Sequence, residues 1–306
     1  MASIVIEKAS KSFGEIKAVS DVSLEITDDC LFGLIGPDGS GKTTLFRLIT
    51  TLLECDRGNI SVFGYDTVRD YKKIRQFTGY MPGRFSLYPD LTVAENLQFY
   101  ATIFGTTIRQ NYKLIEPVYA LLEPFRKRLA RDLSGGMKQK LALSCALIHN
   151  PKVLVLDEPT TGVDAVSRKE FWENLRLLKN TGMAILVSTP YMDEAAKCDR
   201  IALMQTGVIL EYDDPKKILE RYSRSLFEVR SARRFELLHA LRKTMEVKSA
   251  YLFGESIHVT MRTAEADPET FAGRLSAMGF ADASSRAICA DMEDCFIDAV
   301  DRNERN

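Results

Sequence analysis

The 306-residue chain lacks the marks of membrane-spanning, secreted and nucleic-acid-binding proteins. No stretch approaches the roughly 18 uninterrupted apolar residues that cross a bilayer. The opening Met1-Ala2-Ser3-Ile4-Val5-Ile6-Glu7 lacks the basic-then-apolar layout of a secretory leader. Among the six cysteines (Cys30, Cys55, Cys145, Cys198, Cys289, Cys295) there is no C-x-x-C pair. That argues against a disulfide framework and for a reducing cytosol. Lys+Arg total 41 against 42 for Asp+Glu, a formal charge of −1, so no basic excess points to a nucleic acid. Repeats and low-complexity tracts are missing too. A cytosolic protein is expected, with any membrane role exercised through a partner.

What is present reads as an ordinary globular chain, 45% hydrophobic and 27% charged, long enough for roughly two domains. Val19 to Ile26 alternates apolar and polar residues as a half-buried strand does. Leu31-Phe32-Gly33-Leu34-Ile35 is a buried-type strand, and Thr43 to Leu53 carries Leu45, Leu48, Ile49 and Leu52 at helical spacing. From about Thr92 to Asn150 the pattern is helical. Val153 to Leu156 and Ala184 to Val187 are continuous apolar runs separated by a helical stretch, the alternation of a parallel sheet with crossover helices. Composition changes after Asp214-Pro215, and from about Ser225 a separate small α+β unit follows, in which a βαββαβ order fits. The terminal Asp301 to Asn306 is expected to fray.

Chemistry enters at Gly36-Pro37-Asp38-Gly39-Ser40-Gly41-Lys42-Thr43-Thr44, a complete phosphate-loop pattern with a strand before it and a helix after it. The glycines let backbone N–H groups turn inward around a polyphosphate, and the helix N-terminus adds partial positive charge. Lys42 is placed to reach the β- and γ-phosphates and Thr43 to ligate Mg²⁺. The Asp38 carboxylate would repel phosphate unless it points away. Val153-Leu154-Val155-Leu156-Asp157-Glu158 ends a buried strand on two acids, where ligands of open α/β sheets sit. Asp157 suits Mg²⁺, and Glu158 suits accepting the proton of an attacking water.

Between these motifs stands Leu133-Ser134-Gly135-Gly136-Met137-Lys138-Gln139. Read alone, Ser134 is a good helix N-cap and Asp164, before Ala165-Val166-Ser167, is another. Together with the phosphate loop, Asp157-Glu158-Pro159-Thr160 and Thr161-Gly162-Val163-Asp164, the segment resembles the nucleotide-binding subunits of ABC transporters over residues ~3 to 220. The resemblance implies an α/β P-loop NTPase: a β-rich N-terminal subdomain, a RecA-like parallel-sheet core and an α-helical subdomain at about 92–150. This ATPase domain would span 1–222, with a small C-terminal α+β accessory domain at 223–306. It also implies ATP and Mg²⁺ as cofactors and an aromatic ring at Phe13 stacked on adenine. Ser134, Gly135, Gly136, Met137 and Gln139 would complete the ATP site of an opposing subunit, with Asp164 at the dimer interface. Asp291-Met292-Glu293-Asp294-Cys295-Phe296 looks like the closing segment of ATPases serving ABC-2-type exporters.

Two positions depart from that family. After Gly79-Tyr80-Met81-Pro82 the family places a glutamine where Gly83 stands. After Leu186-Val187-Ser188-Thr189 it places a histidine where Pro190 stands. Neither replacement offers a side-chain donor or acceptor, and none of the three histidines (His149, His239, His258) falls in that slot. The pattern resembles the first half of fused two-ATPase exporter subunits. The expectation is therefore an exporter ATPase subunit, cytoplasmic and peripheral on the membrane, with an impaired site of its own. Its partners would be transmembrane permease subunits and a second ABC ATPase, a heterodimer being favoured and a homodimer possible, with no nucleic acid. A soluble ABC-type ATPase acting on ribosomes or DNA and a nonhydrolytic, nucleotide-dependent regulatory module are the alternatives. Thr92 to Arg131 and the loop Gly83 to Asp90 are expected on the docking side. There Phe85, Leu87 and Tyr88 form either a contact surface or part of the interior.

Overall fold

The computed structural model describes residues 2–84, 86–263 and 267–304. It divides into two compact units, Met1–Pro215 and Lys216–Asn306. In the first, Ala2–Phe13 (β1) and Ile16–Thr27 (β2) form an antiparallel hairpin. Leu31–Ile35 (β3) then runs toward the helix Lys42–Ile49 (α1). Arg57–Val62 (β4) and Tyr65–Asp66 (β5) complete a four-stranded sheet in the order β2-β1-β4-β5. Tyr71–Phe77 (α2) leads into Thr78–Met81 (β6), and Val93–Ile103 (α3), Ile108–Tyr119 (α4) and Gly135–Leu147 (α5) supply the helical part. Val153–Asp157 (β7), Ala165–Lys179 (α6), Ala184–Thr189 (β8), Arg200–Gln205 (β9) and Val208–Asp213 (β10) follow.

These strands form a six-stranded sheet in the order β10-β9-β3-β8-β7-β6, parallel throughout except for β10. Covered on both faces, β3, β7 and β8 bury every residue, which is why they read as unbroken apolar runs. The carboxyl ends of β3, β7 and β8 lie side by side. Ile35 pairs with Thr189, and Asp157 pairs with Ser188. The residues following these strands therefore meet at one edge.

Helix α1 is shorter than its spacing predicts. It stops at Ile49, the Thr50 N–H closes on the Phe46 carbonyl (2.9 Å), and Thr51 takes a left-handed φ of 63°. Leu52 then falls on the surface, 50% exposed. In the loop expected on the docking side, Leu87 is buried and Tyr88 is 46% exposed, edge-on to Phe99 at 4.7 Å; Phe85 lies outside the described residues. Buried Asn96 fixes this loop by accepting the Tyr88 N–H (3.0 Å) and donating to the Tyr88 carbonyl (3.0 Å).

Helix α7 (Pro215–Glu220) precedes the segment in which the 222/223 boundary falls. The second unit runs Leu226–Arg230 (β11), Arg234–Arg242 (α8), Val247–Phe253 (β12), Ser256–Met261 (β13), Pro268–Ala277 (α9), Ser284–Ile288 (β14) and Met292–Asn303 (α10). Its antiparallel sheet is ordered β12-β13-β11-β14, a βαββαβ arrangement with one added helix. Phe227, Val229, Ile257 and Val259 pack against Leu237 and Leu241 of α8 and Phe271 and Leu275 of α9. The expected fraying from Asp301 is not found. Asp301 to Asn303 continue α10, because Asp294, Asp298 and Asp301 engage His258 (2.9 Å), Lys248 and Tyr251 (3.0 Å) in turn. Arg305 and Asn306 lie outside the described residues.

Fully buried Phe227 sits 4.8 Å from the Phe271 ring, so Phe227→Ala is expected to cost the second unit about 3–5 kcal/mol. Urea unfolding followed by far-UV circular dichroism would measure it. Glu228 accepts hydrogen bonds from Arg230 (2.8 Å) and Arg286, and these hold its carboxyl down at about 2. An unfolded glutamate titrates near about 4.3. The contribution is therefore complete above that value and is lost as pH falls toward 2. Unfolding midpoints between pH 5 and 2 should decline more steeply in the parent than in Glu228→Gln.

Candidate functional site

The loop after β3 is shaped by backbone crowding. The Gly36 N–H donates to the Thr189 carbonyl (3.2 Å), and a Cβ at residue 36 would lie 2.1 Å from the Met204 carbonyl oxygen. Gly41 has φ 107°, and a Cβ there would lie 2.2 Å from the Ala18 carbonyl oxygen. Both positions therefore exclude any side chain. The Gly207 N–H donates to the Ser40 carbonyl (2.9 Å), tying the β9–β10 turn to the loop.

Lys42, the first residue of α1, is 3% exposed. Its Nζ donates to the carbonyls of Gly36 (2.8 Å) and Pro37 (3.0 Å) and lies 3.2 Å from Glu158 Oε1. Thr43, Thr44, Gly39, Ser40 and Gly41 join Lys42 and Glu158 around a cleft of about 320 Å³. Pro37 and Asp38 stay outside its lining, and Asp38 is exposed, so its charge does not face the cleft.

Asp157 ends β7 and is 2% exposed. Its Oδ1 accepts from Ser188 Oγ (2.6 Å), and the same Oγ accepts the Glu158 N–H (2.9 Å). Glu158 has a left-handed φ of 48°, a conformation that costs a residue bearing a Cβ about 1–2 kcal/mol. The hydrogen bonds of its N–H to Ser188 Oγ and to the Ser188 carbonyl (3.1 Å) offset that cost. Gly83 lies against this corner: a Cβ there would stand 3.1 Å from the Asp157 carbonyl oxygen and 3.8 Å from Asp157 Oδ2. Pro190 follows Thr189 directly at the end of β8.

The donor set fits Mg²⁺. A Thr43 hydroxyl and an Asp157 carboxylate are hard oxygen ligands, and this ion keeps most of its shell for water and phosphate oxygens. The Ser188 hydroxyl, at 2.6 Å, takes up Oδ1 of Asp157 and not Oδ2. Among the described residues no cluster of three or more His, Cys, Asp or Glu could hold a metal alone.

Ser134 to Gln139 do not line this cleft. Ser134 caps α5 by accepting the Met137 N–H (3.3 Å). Asp164 caps α6 through the N–H groups of Val166 (3.1 Å) and Ser167 (2.9 Å), and the Ser167 N–H in particular holds its carboxyl below the usual range. Both residues thus have the capping role read from the local sequence. They also share a surface, since a Cβ on Gly136 would meet Ser167 Oγ at 2.6 Å. Met137 and Gln139 are half-buried on α5.

Phe13 is 47% exposed at the end of β1, with Lys11 Nζ 6.0 Å from its ring centroid, and does not line the cleft. The hairpin side of the lining is Ile16, Lys17 and Ala18, joined by Thr206. Sequence reasoning missed these four. The one sequence signal near them is the glycine at 207; in the structure both Thr206 and Gly207 take positive φ.

A family profile described as ABC transporter matches residues 19–161. The chain is 39% identical to the probable multidrug ABC transporter ATP-binding protein YbhF of Escherichia coli over 92% of this chain, but it spans only 49% of that relative's length. It is 37% identical to the Nod factor export ATP-binding protein I of Burkholderia lata, covering 72% of this chain and 73% of that one. Among solved structures, an ATP-binding subunit of an ABC transporter aligns with a TM-score of 0.65 at 26% identity, covering 72% of this chain and 92% of the other. A dimeric ATP-binding cassette bound to ADP and Pi aligns at 0.63 and 25% identity, covering 69% and 98%. With the loop, the buried acid pair and the parallel sheet in the matching order, the chain belongs to the ATP-binding protein family of ABC transporters.

Proposed function

We propose that this chain is the ATP-binding subunit of a membrane exporter, taking MgATP at Gly36–Thr44 and coupling its binding and hydrolysis to transport. The observation that carries the reading is the convergence of Lys42, Thr43, Thr44 and Glu158 on one cleft, with Asp157 behind it. The triphosphate would compete with Glu158 for Lys42, and the released carboxylate would then face the attacking water. Thr43 and Asp157 would hold Mg²⁺, which supplies charge neutralisation at the phosphates. Phe13, close in sequence to Ile16 and Lys17, is the candidate adenine contact.

The two departures bear on rate. Gly83 lies beside Asp157, and Pro190 follows Thr189 at the end of β8; on this reading both missing side chains would belong to the reacting corner. Loss of one preorganised group of this kind costs about 10²–10³ in rate, and two losses in one site need not multiply. The chain's own site therefore turns over slowly. Ser134, Gly135, Gly136, Met137 and Gln139, with Asp164 alongside, complete a partner's site, which favours a heterodimer over a homodimer. Permease subunits would dock on the helical side formed by residues 92–131 and the loop before it. No described helix is long and apolar enough to cross a membrane, so attachment to the cytoplasmic face would come through them. The same two departures also favour a second reading, a nonhydrolytic nucleotide-dependent module.

The purified chain should bind a fluorescent ATP analogue with Mg²⁺, and Lys42→Ala should weaken binding at least about tenfold. Phosphate release should be slow and should rise at least about tenfold in Gly83→Gln/Pro190→His. Binding without turnover in the parent, the double variant and every copurified complex would decide for the nonhydrolytic module. Unchanged slow turnover in the double variant alone would remove Gly83 and Pro190 as its cause.

A further inference from the structure

Glu194, in the short helical segment Met192–Lys197, has no exposed surface. Its carboxyl group accepts from Trp172 Nε1 (2.8 Å), Thr189 Oγ1 (2.5 Å) and Thr160 Oγ1 (3.0 Å). Among the described residues no cation pairs with it. Three neutral donors take the place of a counter-ion, and each depends on direction.

The donors come from three segments that bear on the cleft. Thr189 ends β8, and its carbonyl accepts the Gly36 N–H that opens the phosphate loop. Its Oγ1 also accepts the Tyr191 N–H (3.1 Å), which brackets Pro190. Thr160 follows Glu158 by two residues, and the Glu158 carbonyl accepts the Thr161 N–H (3.2 Å). Trp172 belongs to α6, which is capped by Asp164 and carries in its first turn the Ser167 that lies against Gly136. An apolar residue of similar volume would leave the Trp172 Nε1, Thr160 and Thr189 donors unpartnered in the interior and would tie none of these segments to another.

We propose that Glu194 is a positioning residue. It locks the end of β8, the segment carrying Glu158 and helix α6 into one piece, so that the Lys42–Glu158 edge and the Asp164–Ser134 surface keep a fixed register. The inference rests on the ATP-binding reading above.

The test uses the full chain with Glu194→Leu, Glu194→Gln and Trp172→Phe, the last of these keeping the ring and removing one donor. Glutamine can still accept from Trp172 and Thr160 while donating to Thr189 Oγ1, so it should rescue in part. Amide hydrogen exchange over residues 158–164 and 189–191 is expected to rise about tenfold in Glu194→Leu and less in the other two, with α1 unchanged. MgATP affinity should stay within about threefold, and any measurable turnover should fall in kcat rather than rise in KM. Parental exchange in those segments, or a loss of protection spread evenly over the whole unit, would overturn the proposal. If Glu194→Leu does not fold, Trp172→Phe decides by the same exchange readout. Failure of the parent to bind MgATP would sink the ATP reading, whereas the exchange pattern still decides the role of Glu194.

Discussion

The carbonyl oxygens of Met204 and Ala18 occupy the space that side chains at residues 36 and 41 would need. The backbone of β9 and of the β1–β2 hairpin can therefore press against the loop after β3, and the loop has no freedom to collapse elsewhere. Within the loop the Ser40 N–H donates to the Pro37 carbonyl (3.2 Å), and at its start the Gly36 N–H donates to the Thr189 carbonyl (3.2 Å). Lys42 is buried under that loop, with its ammonium on two loop carbonyls and one carboxylate oxygen. The placement of Glu158 follows from the same packing, since β7 and β8 are registered so that Asp157 faces Ser188.

The corner around Asp157 shows how strain and charge are held by neighbours. Ser188 Oγ donates to one carboxylate and accepts from the next residue's N–H, so a single hydroxyl orients both acids. Glu158 can then keep its left-handed backbone. At Gly83 a Cβ would already stand 3.1 Å from the Asp157 carbonyl oxygen, and Pro190, directly after β8, brings no side-chain donor. Both acids of this corner are thus held by β8, the strand registered against their own.

What the sequence reveals and what it hides divides along physical lines. The phosphate loop and the acid pair are legible because their chemistry demands particular residue types at fixed spacing, and β3, β7 and β8 because burial on both faces demands unbroken apolar runs. Ile16, Lys17, Ala18 and Thr206 are illegible because they reach the cleft by strand adjacency, and no residue type marks that. Glu194 stands beside Asp193 between Met192 and Ala195 and reads as a solvated acid. Its burial depends on donors 5, 22 and 34 residues away in sequence. The end of α1 was misplaced because periodicity continued past Thr51 while the backbone turned. The last turn of α10 was missed because its partners Tyr251 and Lys248 lie about 50 residues earlier.

Strand order has a consequence for synthesis. β3 is complete by residue 35, yet both of its sheet neighbours, β8 and β9, come after residue 183. A growing chain emerging at about 5–20 residues per second must wait several seconds with β3 unpaired on either side. Pairings this distant along the chain form slowly. The helical segments between them, built from local contacts, can take shape during that interval, whereas the crevice above β3 closes only when β9 is available, among the last events in maturation of the first unit.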